Sequence, residues 1–392
     1  MKTTIRKRNS ILAGIGLASL LVYVLACSST SFSPDDRKVL FPAFDVNHQG
    51  ISAMVYNRKS HKTEQIYTLV KPVVPGKTND SGELLRADWA PDGKHVLVAS
   101  QPDGLSLTLV PYGVQEPVRQ LLIPKSEVED GLLVWPLHMV GSKVFLNGKN
   151  HSLVAVDMVT GATRSNEFTN DVMLWSDAQG KTLFALTEPD NKSTNGVFGR
   201  IDPETLALQP QMEFSTALMP EGGTIAVSTD GERLCFFGKL EHGTNLELRV
   251  FRGGKLEFSR TVESDERKIF FGTFGALSPK GDCLYTSFAR RESGAKNSEY
   301  GLLEIPLKND PARWTTLARA TKGDDADALF FQGGLSHDGR TWAVSSAYLW
   351  AANESFAASD CALFLVDLSS RDRKVTKVPI PTPQRRDGLL KK

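Results

Sequence analysis

The chain has 392 residues, 41% hydrophobic and 23% charged, and its 46 basic and 45 acidic side chains give a formal net charge of +1. That apolar content supports a sizeable core and excludes an extensively disordered chain. The near-neutral balance excludes the strongly basic face that nucleic-acid binding normally requires, so no nucleic-acid partner is expected.

Taken in order, the chain begins with Lys2, Arg6, Lys7 and Arg8, followed by an apolar run from Ile11 to Val24 interrupted only by small residues. A basic start before a run too short for a full membrane span is a secretory signal, here residues 1–26. Without it the mature chain loses four basic side chains and becomes slightly acidic. The next residues, Val24-Leu25-Ala26-Cys27-Ser28-Ser29, resemble the lipobox of bacterial lipoproteins, with Leu25 where a small residue is commoner. The resemblance implies that the Cys27 thiol receives a diacylglyceryl group and becomes the new N-terminus. Cys27 would then be the lipidation site and the lipid bilayer a partner, since several acyl chains make durable anchoring. Ser28 stands where similar lipoproteins carry an inner-membrane retention aspartate, which favours the periplasmic face of the outer membrane. The alternative is an ordinary signal-peptidase site after Ala26.

Residues 27–38, rich in Ser, Thr and Pro, read as the lipidated cysteine and a short tether, with the folded body spanning 39–380 and a basic tail over 381–392. The body is built from one recurring unit. In Ala87-Asp-Trp-Ala-Pro-Asp-Gly-Lys-His-Val-Leu-Val-Ala-Ser100, an apolar strand enters a Pro-Asp-Gly turn and leaves as a second apolar strand, which spells a hairpin. Similar turns follow Trp175, Val227, Leu277 and Leu335. Aligning on the turn glycine gives Gly50, Gly93, Gly141, Gly180, Gly231, Gly281 and Gly339, about 48 residues apart on average, a spacing that suits propeller blades. The third residue after each glycine (Ala53, Val96, Val144, Leu183, Leu234, Leu284 and Trp342) is apolar, as an inward position requires.

Third strands are expected over 106–112, 153–158, 196–201, 246–251, 302–307 and 362–368, and more polar fourth strands over 118–123, 255–262, 314–319 and 374–380. No stretch reads as a long amphipathic helix. The expectation is therefore an all-β, seven-bladed propeller of four-stranded antiparallel blades, six or eight blades being the alternatives. No N-terminal strand is needed to complete the last blade, so closure can rest on packing of blade faces. Turns such as Trp89-Ala-Pro-Asp-Gly93 and Leu277-Ser-Pro-Lys-Gly281 resemble the repeats of TolB-type and WD-repeat-like bacterial propellers across nearly all of 39–380. That resemblance implies the fold and leaves activity open. TolB itself has an additional α/β domain and six blades, so its role does not carry over.

Motifs that invite chemistry are few. Ser336-His337-Asp338 fills a turn slot, where adjacent residues cannot align as a catalytic triad. Asp45-Val-Asn47-His-Gln49-Gly50 starts like an EF-hand loop but has Tyr56 where a bidentate glutamate is needed, so a turn is the better account. Asp324, Asp325 and Asp327 form an acidic run that is a weak metal candidate. The histidines lack metal-ligand spacing, and neither a metal nor a cofactor is expected. Besides Cys27 there are three cysteines, Cys235, Cys283 and Cys361. Buried free thiols are the default, and the alternative is a bridge involving Cys361.

The candidate partner-binding residues are Tyr348, Trp350 and Phe356 in the long loop of the last blade, with Arg290 and Arg291 in the corresponding loop of its neighbour. Aromatic and arginine side chains on adjacent loops suit a protein-protein hot spot. Trp350 and Phe356 folding back over the blade is the competing account. The functional expectation is a membrane-anchored lipoprotein that binds or scaffolds proteins of the bacterial envelope, rather than an enzyme. The alternative is an enzyme using the central channel, lactonase-like or dehydrogenase-like.

Overall fold

In the computed structural model the described residues are 30–44, 50–70, 85–100, 105–124, 137–148, 150–170, 172–176, 180–187, 195–215, 221–239, 245–262, 268–272, 275–291, 298–320, 333–345 and 362–381. They contain strands and no helix. Blade 1 is β1 (Ser31–Phe32), β2 (Lys38–Phe44), β3 (Gly50–Asn57) and β4 (Lys62–Val70). Blade 2 is β5 (Leu85–Trp89), β6 (His95–Ser100), β7 (Leu105–Pro111) and β8 (Arg119–Ile123). Blade 3 is β9 (His138–Val140), β10 (Lys143–Asn147), β11 (Ser152–Asp157) and β12 (Thr163–Glu167). Blade 4 is β13 (Val172–Ser176), β14 (Leu183–Thr187), β15 (Asn195–Ile201) and β16 (Leu208–Ser215). Blade 5 is β17 (Glu221–Val227), β18 (Arg233–Lys239), β19 (Leu246–Arg252) and β20 (Lys255–Val262). Blade 6 has its first position split into β21 (Lys268–Phe271) and β22 (Ala276–Leu277), followed by β23 (Cys283–Arg291), β24 (Ser298–Pro306) and β25 (Arg313–Ala320). Blade 7 is β26 (Gly334–Leu335), β27 (Thr341–Ser345), β28 (Ala362–Asp367) and β29 (Val375–Pro379).

Each blade is an antiparallel sheet whose strands pair in chain order. The first strands meet their counterparts in adjacent blades, as β9 does β13 and β1 does β26, so they line the axis. The fourth strands form the rim. Burial follows: every residue of β6 is buried, whereas all of β12 except Asn166 is exposed. An inner strand is covered on both faces by neighbouring blades and can be apolar throughout, while a rim strand meets water.

The core is divided among the blade interfaces. Each of seven apolar clusters joins one pair of neighbours, from Leu40 and Val55 against Trp89 and Val98 between blades 1 and 2 to Tyr285 and Leu302 against Trp342 and Phe364 between blades 6 and 7. The remaining clusters join blades 2 and 3, 3 and 4, 4 and 5, and 5 and 6, and the ring closes where Phe32, Phe41 and Met54 pack on Ala343, Leu363 and Val378. Blade 7 supplies all four of its own strands. Apolar packing is joined at this seam by hydrogen bonds from Arg58 Nη2 to Thr341 Oγ1 at 2.8 Å and from Ser345 Oγ to the Pro42 carbonyl at 3.3 Å.

The structure corrects the sequence reading of blade 1. Residues 31–38, expected within the tether, form its inner hairpin, with Ser31 opposite Leu40 and Phe32 opposite Val39. The turn residue of this blade is Asp36, at φ 56°, and not Gly50, which opens β3. Asp36 takes the left-handed conformation that Gly93, Gly141, Gly180, Gly231, Gly281 and Gly339 adopt in the other blades. Aspartate tolerates that conformation better than most side chains. Val39, three residues after Asp36, is fully buried, as are Val96, Val144, Leu234, Leu284 and Trp342 at the matching positions.

Two kinds of connection are segregated by this topology. Turns between first and second strands and between third and fourth strands lie at one end of the ring, the turn face. Backbone bonds tie the two sets together, for example Arg58 N to Arg37 O at 2.9 Å, Met158 N to Ser142 O at 2.9 Å and Leu368 N to Arg340 O at 2.8 Å. The other connections leave from the opposite end, the loop face.

Candidate functional site

The inner strands of blades 1 to 4 bring several polar side chains to the axis. Asp88 lies on β5, five residues before Gly93, and Ser31 lies on β1, five residues before Asp36, so the two share a level in the ring. Asp88 Oδ1 accepts the Trp89 N–H at 2.8 Å. Burial pushes its carboxyl up to about 6, opposed in part by the Ser31 hydroxyl and the Trp89 amide. Arg86, two residues further from the turn, is buried.

His138, the first residue of β9, spans the boundary between blades 3 and 4. Its Nε2 lies 3.0 Å from the Leu174 carbonyl and its Nδ1 2.9 Å from Ser176 Oγ. A carbonyl can only accept, so Nε2 carries the proton and Nδ1 accepts from the serine hydroxyl. Burial pushes the imidazole down to about 4, with Arg86 adding to the shift. The ring is therefore neutral at physiological pH. A serine hydroxyl bonded to a neutral imidazole is the first half of a nucleophile-base pair, and it is also an effective inter-blade clip.

A second polar group closes the seam on the turn face. Asp36 Oδ1 accepts from the His337 backbone N–H at 2.8 Å and lies 2.8 Å from His337 Nδ1, while Oδ2 accepts the Asp338 N–H at 2.9 Å. The Ser336 hydroxyl donates to Asp338 Oδ1 at 2.7 Å and accepts the Thr341 N–H at 2.9 Å. Within Ser336-His337-Asp338 the serine thus serves the turn and the histidine serves the neighbouring blade.

Of the residues singled out from sequence, Cys27, Cys361, the acidic run Asp324, Asp325 and Asp327, the loop residues Tyr348, Trp350 and Phe356, and residues 45–49 lie outside the described residues. Arg291 ends β23, and its side chain is likewise outside the description. Arg290 is described and held in place. Its guanidinium pairs with Glu299 Oε2 at 2.8 Å and stacks 5.3 Å from the Phe288 ring centre and 5.2 Å from that of Trp314. Glu299 also pairs with the exposed Arg319 at 3.1 Å. Cys235 and Cys283 are free thiols, packed in the interfaces on opposite sides of blade 6. Burial raises both, Cys283 to about 12, which leaves them protonated and unreactive. Asp36, Asp88 and His138 were not among the residues expected from sequence.

No family model and no curated protein sequence matches the chain. Solved structures do. Oligogalacturonate lyase from Vibrio parahaemolyticus aligns over 88% of this chain and 90% of its own, at 12% identity and a TM-score of 0.50. TolB from Acinetobacter baumannii aligns over 88% of this chain at 11% identity and a TM-score of 0.44, and the alignment spans 64% of the TolB chain. The Swd1 β-propeller domain from Myceliophteria thermophila aligns over 74% of this chain and 83% of its own, at 14% identity and a TM-score of 0.46. At such identities the likeness is one of fold. The protein is a seven-bladed β-propeller, with TolB and WD-repeat propellers among its structural neighbours.

Proposed function

We infer that the chain is a lipid-anchored β-propeller, held to the bacterial envelope through Cys27, that binds or scaffolds other envelope proteins. The observation carrying this reading is the use to which the structure puts ionisable groups at two blade boundaries. His138 joins blade 3 to blade 4, and Asp36 and His337 join blade 1 to blade 7. Side chains committed to holding blades together make a stiff display frame, which suits recognition by a preformed surface. The leader and the Ala26-Cys27 junction support the anchor. Crosslinking in native membranes followed by mass spectrometry tests the reading. Recovery of specific envelope proteins on the wild-type chain, lost with Cys27→Ala, is expected; identical crosslinks from a freely soluble Cys27→Ala chain would contradict a role for the anchor.

The Ser176-His138 pair favours a second reading, an enzyme using the axis of the ring. An oligogalacturonate lyase is among the solved structures of similar fold, and one fold can carry many activities. Turnover of a lactone or other ester that disappears in Ser176→Ala while the fold persists would favour the enzyme over the scaffold.

A further inference from the structure

We propose that the chain pairs with a second copy of itself through β8, the rim strand of blade 2, laid antiparallel to its counterpart about a two-fold axis at Gln120. Each rim strand ends its sheet, so a row of backbone N–H and C=O groups faces outward unless something blunts the edge. Most of the rim is blunted. The strands β4, β16, β20 and β25 each carry a bulge, β29 carries Lys377 and Pro379, and β12 has no apolar residue. The exception is β8. It runs against β7 without a break in register, and after Arg119 it reads Gln120-Leu121-Leu122-Ile123, with no charge and no proline. Leu122 is 68% exposed, the highest value for a large apolar side chain among the described residues, and Val118, just ahead of the strand, is 38% exposed.

The sequence of this edge is self-complementary. Antiparallel pairing centred on Gln120 sets Leu122 of each copy opposite Val118 of the other, with the two Gln120 side chains face to face between them. Residues 118, 120 and 122 alternate onto one face of the strand, and directly opposite residues share a face, so the exposed apolar side chains of both copies cover each other in a single ladder. Gln120 Nε2 donates to Ser106 Oγ at 2.8 Å, which holds the amide at the centre of that ladder. Arg119 falls opposite Leu121 and not opposite its own counterpart, so no like charges meet directly. Pro117 and Pro124 bracket the stretch, and a residue without an N–H does not extend a ladder. An unlike extended segment would satisfy the backbone edge equally well, but the matching of Leu122 to Val118 is written in the strand's own sequence. A two-fold operation uses the same edge on both copies and closes on itself, giving a dimer and not a fibre. Contact through the rim leaves the turn face of each ring uncovered.

Disulfide trapping on the purified full-length chain tests the register, and sedimentation from low to high micromolar concentration tests the association. In the proposed pairing the two Gln120 positions have Cβ atoms about 5 Å apart, close to the span of a disulfide. Mild oxidation of Gln120→Cys should give several-fold more covalent dimer than the wild type or Ser165→Cys, another exposed rim position, on β12. Val118→Cys and Leu122→Cys combined in one chain should crosslink likewise, and either alone should not. The wild type should sediment as a concentration-dependent dimer, and Leu122→Lys, at a site too exposed to threaten folding, as a monomer with an unchanged melting temperature. Equal crosslinking of Gln120→Cys and Ser165→Cys reports random collision and overturns the pairing. A wild type that stays monomeric throughout also overturns it and leaves the edge to an unlike segment. A dimer that persists in Leu122→Lys overturns it as well, because that dimer uses another surface.

Discussion

Asp36 and His337 stand 301 residues apart in sequence and meet at the seam of the ring, where one carboxylate oxygen of Asp36 takes the backbone N–H of His337 and lies 2.8 Å from its imidazole Nδ1. The same carboxylate caps Asp338. Because blade 7 borrows no strand from the N-terminus, this contact carries closure together with the apolar cluster beneath it and the Arg58-Thr341 and Ser345-Pro42 hydrogen bonds. Asp36→Ala should cost about 2–3 kcal/mol, the worth of charged hydrogen bonds to groups otherwise left unsatisfied. Asp36→Asn, which keeps an acceptor, should cost less. Urea unfolding measures both, and equal midpoints for Asp36→Ala and wild type would remove the seam role.

The left-handed turn residues separate backbone strain from crowding. Gly141, at φ 59°, has open space where a Cβ would sit, whereas at Gly231, at φ 71°, a Cβ would lie 2.1 Å from the Phe184 ring. Gly141→Ala should therefore cost only the conformational term of about 1–2 kcal/mol. Gly231→Ala should cost clearly more, since the buried ring must move. Thermal unfolding of the two variants side by side checks the order.

Two axial groups give opposite dependences on pH. Asp88 holds its proton more tightly in the folded ring than in the unfolded chain. Its contribution is complete below about 4, the ordinary carboxylate value, and is lost as pH rises through about 6. Asp88→Asn should remove that slope and raise stability at pH 8 by up to about 3 kcal/mol. His138 is harder to protonate when folded, so its contribution is present above about 6.5, the ordinary imidazole value, and is lost as pH falls toward about 4. His138→Phe should flatten the acid limb. Melting temperatures from pH 4 to 8 for both variants test the assignments, and unchanged slopes would contradict them.

Arg290 is an anchor of the blade before it is a contact for anything else. Its ion pair with Glu299 and its stacking on Trp314 predict that Arg290→Ala loses about 1–2 kcal/mol of stability. Arg290→Lys should recover only part, because an ammonium cannot stack as a guanidinium does. Chemical denaturation of both variants reads this directly.

The hairpin grammar made most of the fold legible. Pro-Asp-Gly turns and the apolar residue three positions later located blades 2 to 7, because a left-handed turn residue and a buried inner strand leave marks in the letters themselves. Blade 1 was misread where the grammar is written with Asp36 in the glycine slot: Ser33-Pro34-Asp35-Asp36 has the turn without its most visible residue. The axial polar groups were hidden for a related reason. Ser31, Asp88, Trp175, Ala226, Ala276 and Gly334 all stand five residues before a turn residue, but only Ser31 and Asp88 of the six carry a hydroxyl or carboxyl, and Ser31 joins the register only once Asp36 is counted as a turn residue. His138 escapes even that rule, because the Val140-Gly141 turn is two residues shorter and brings it to the same level three residues ahead. The partner of His138, Ser176, is 38 residues away and is joined to it only by blade packing.

The anchor at Cys27 is the claim on which the proposed location and role depend, and intact-mass spectrometry of the protein purified from membranes tests it most directly. The account predicts a mature chain that starts at Cys27 and carries the added mass of a diacylglyceryl group. A chain that starts at Cys27 without added mass, or that retains residues 1–26, would contradict it.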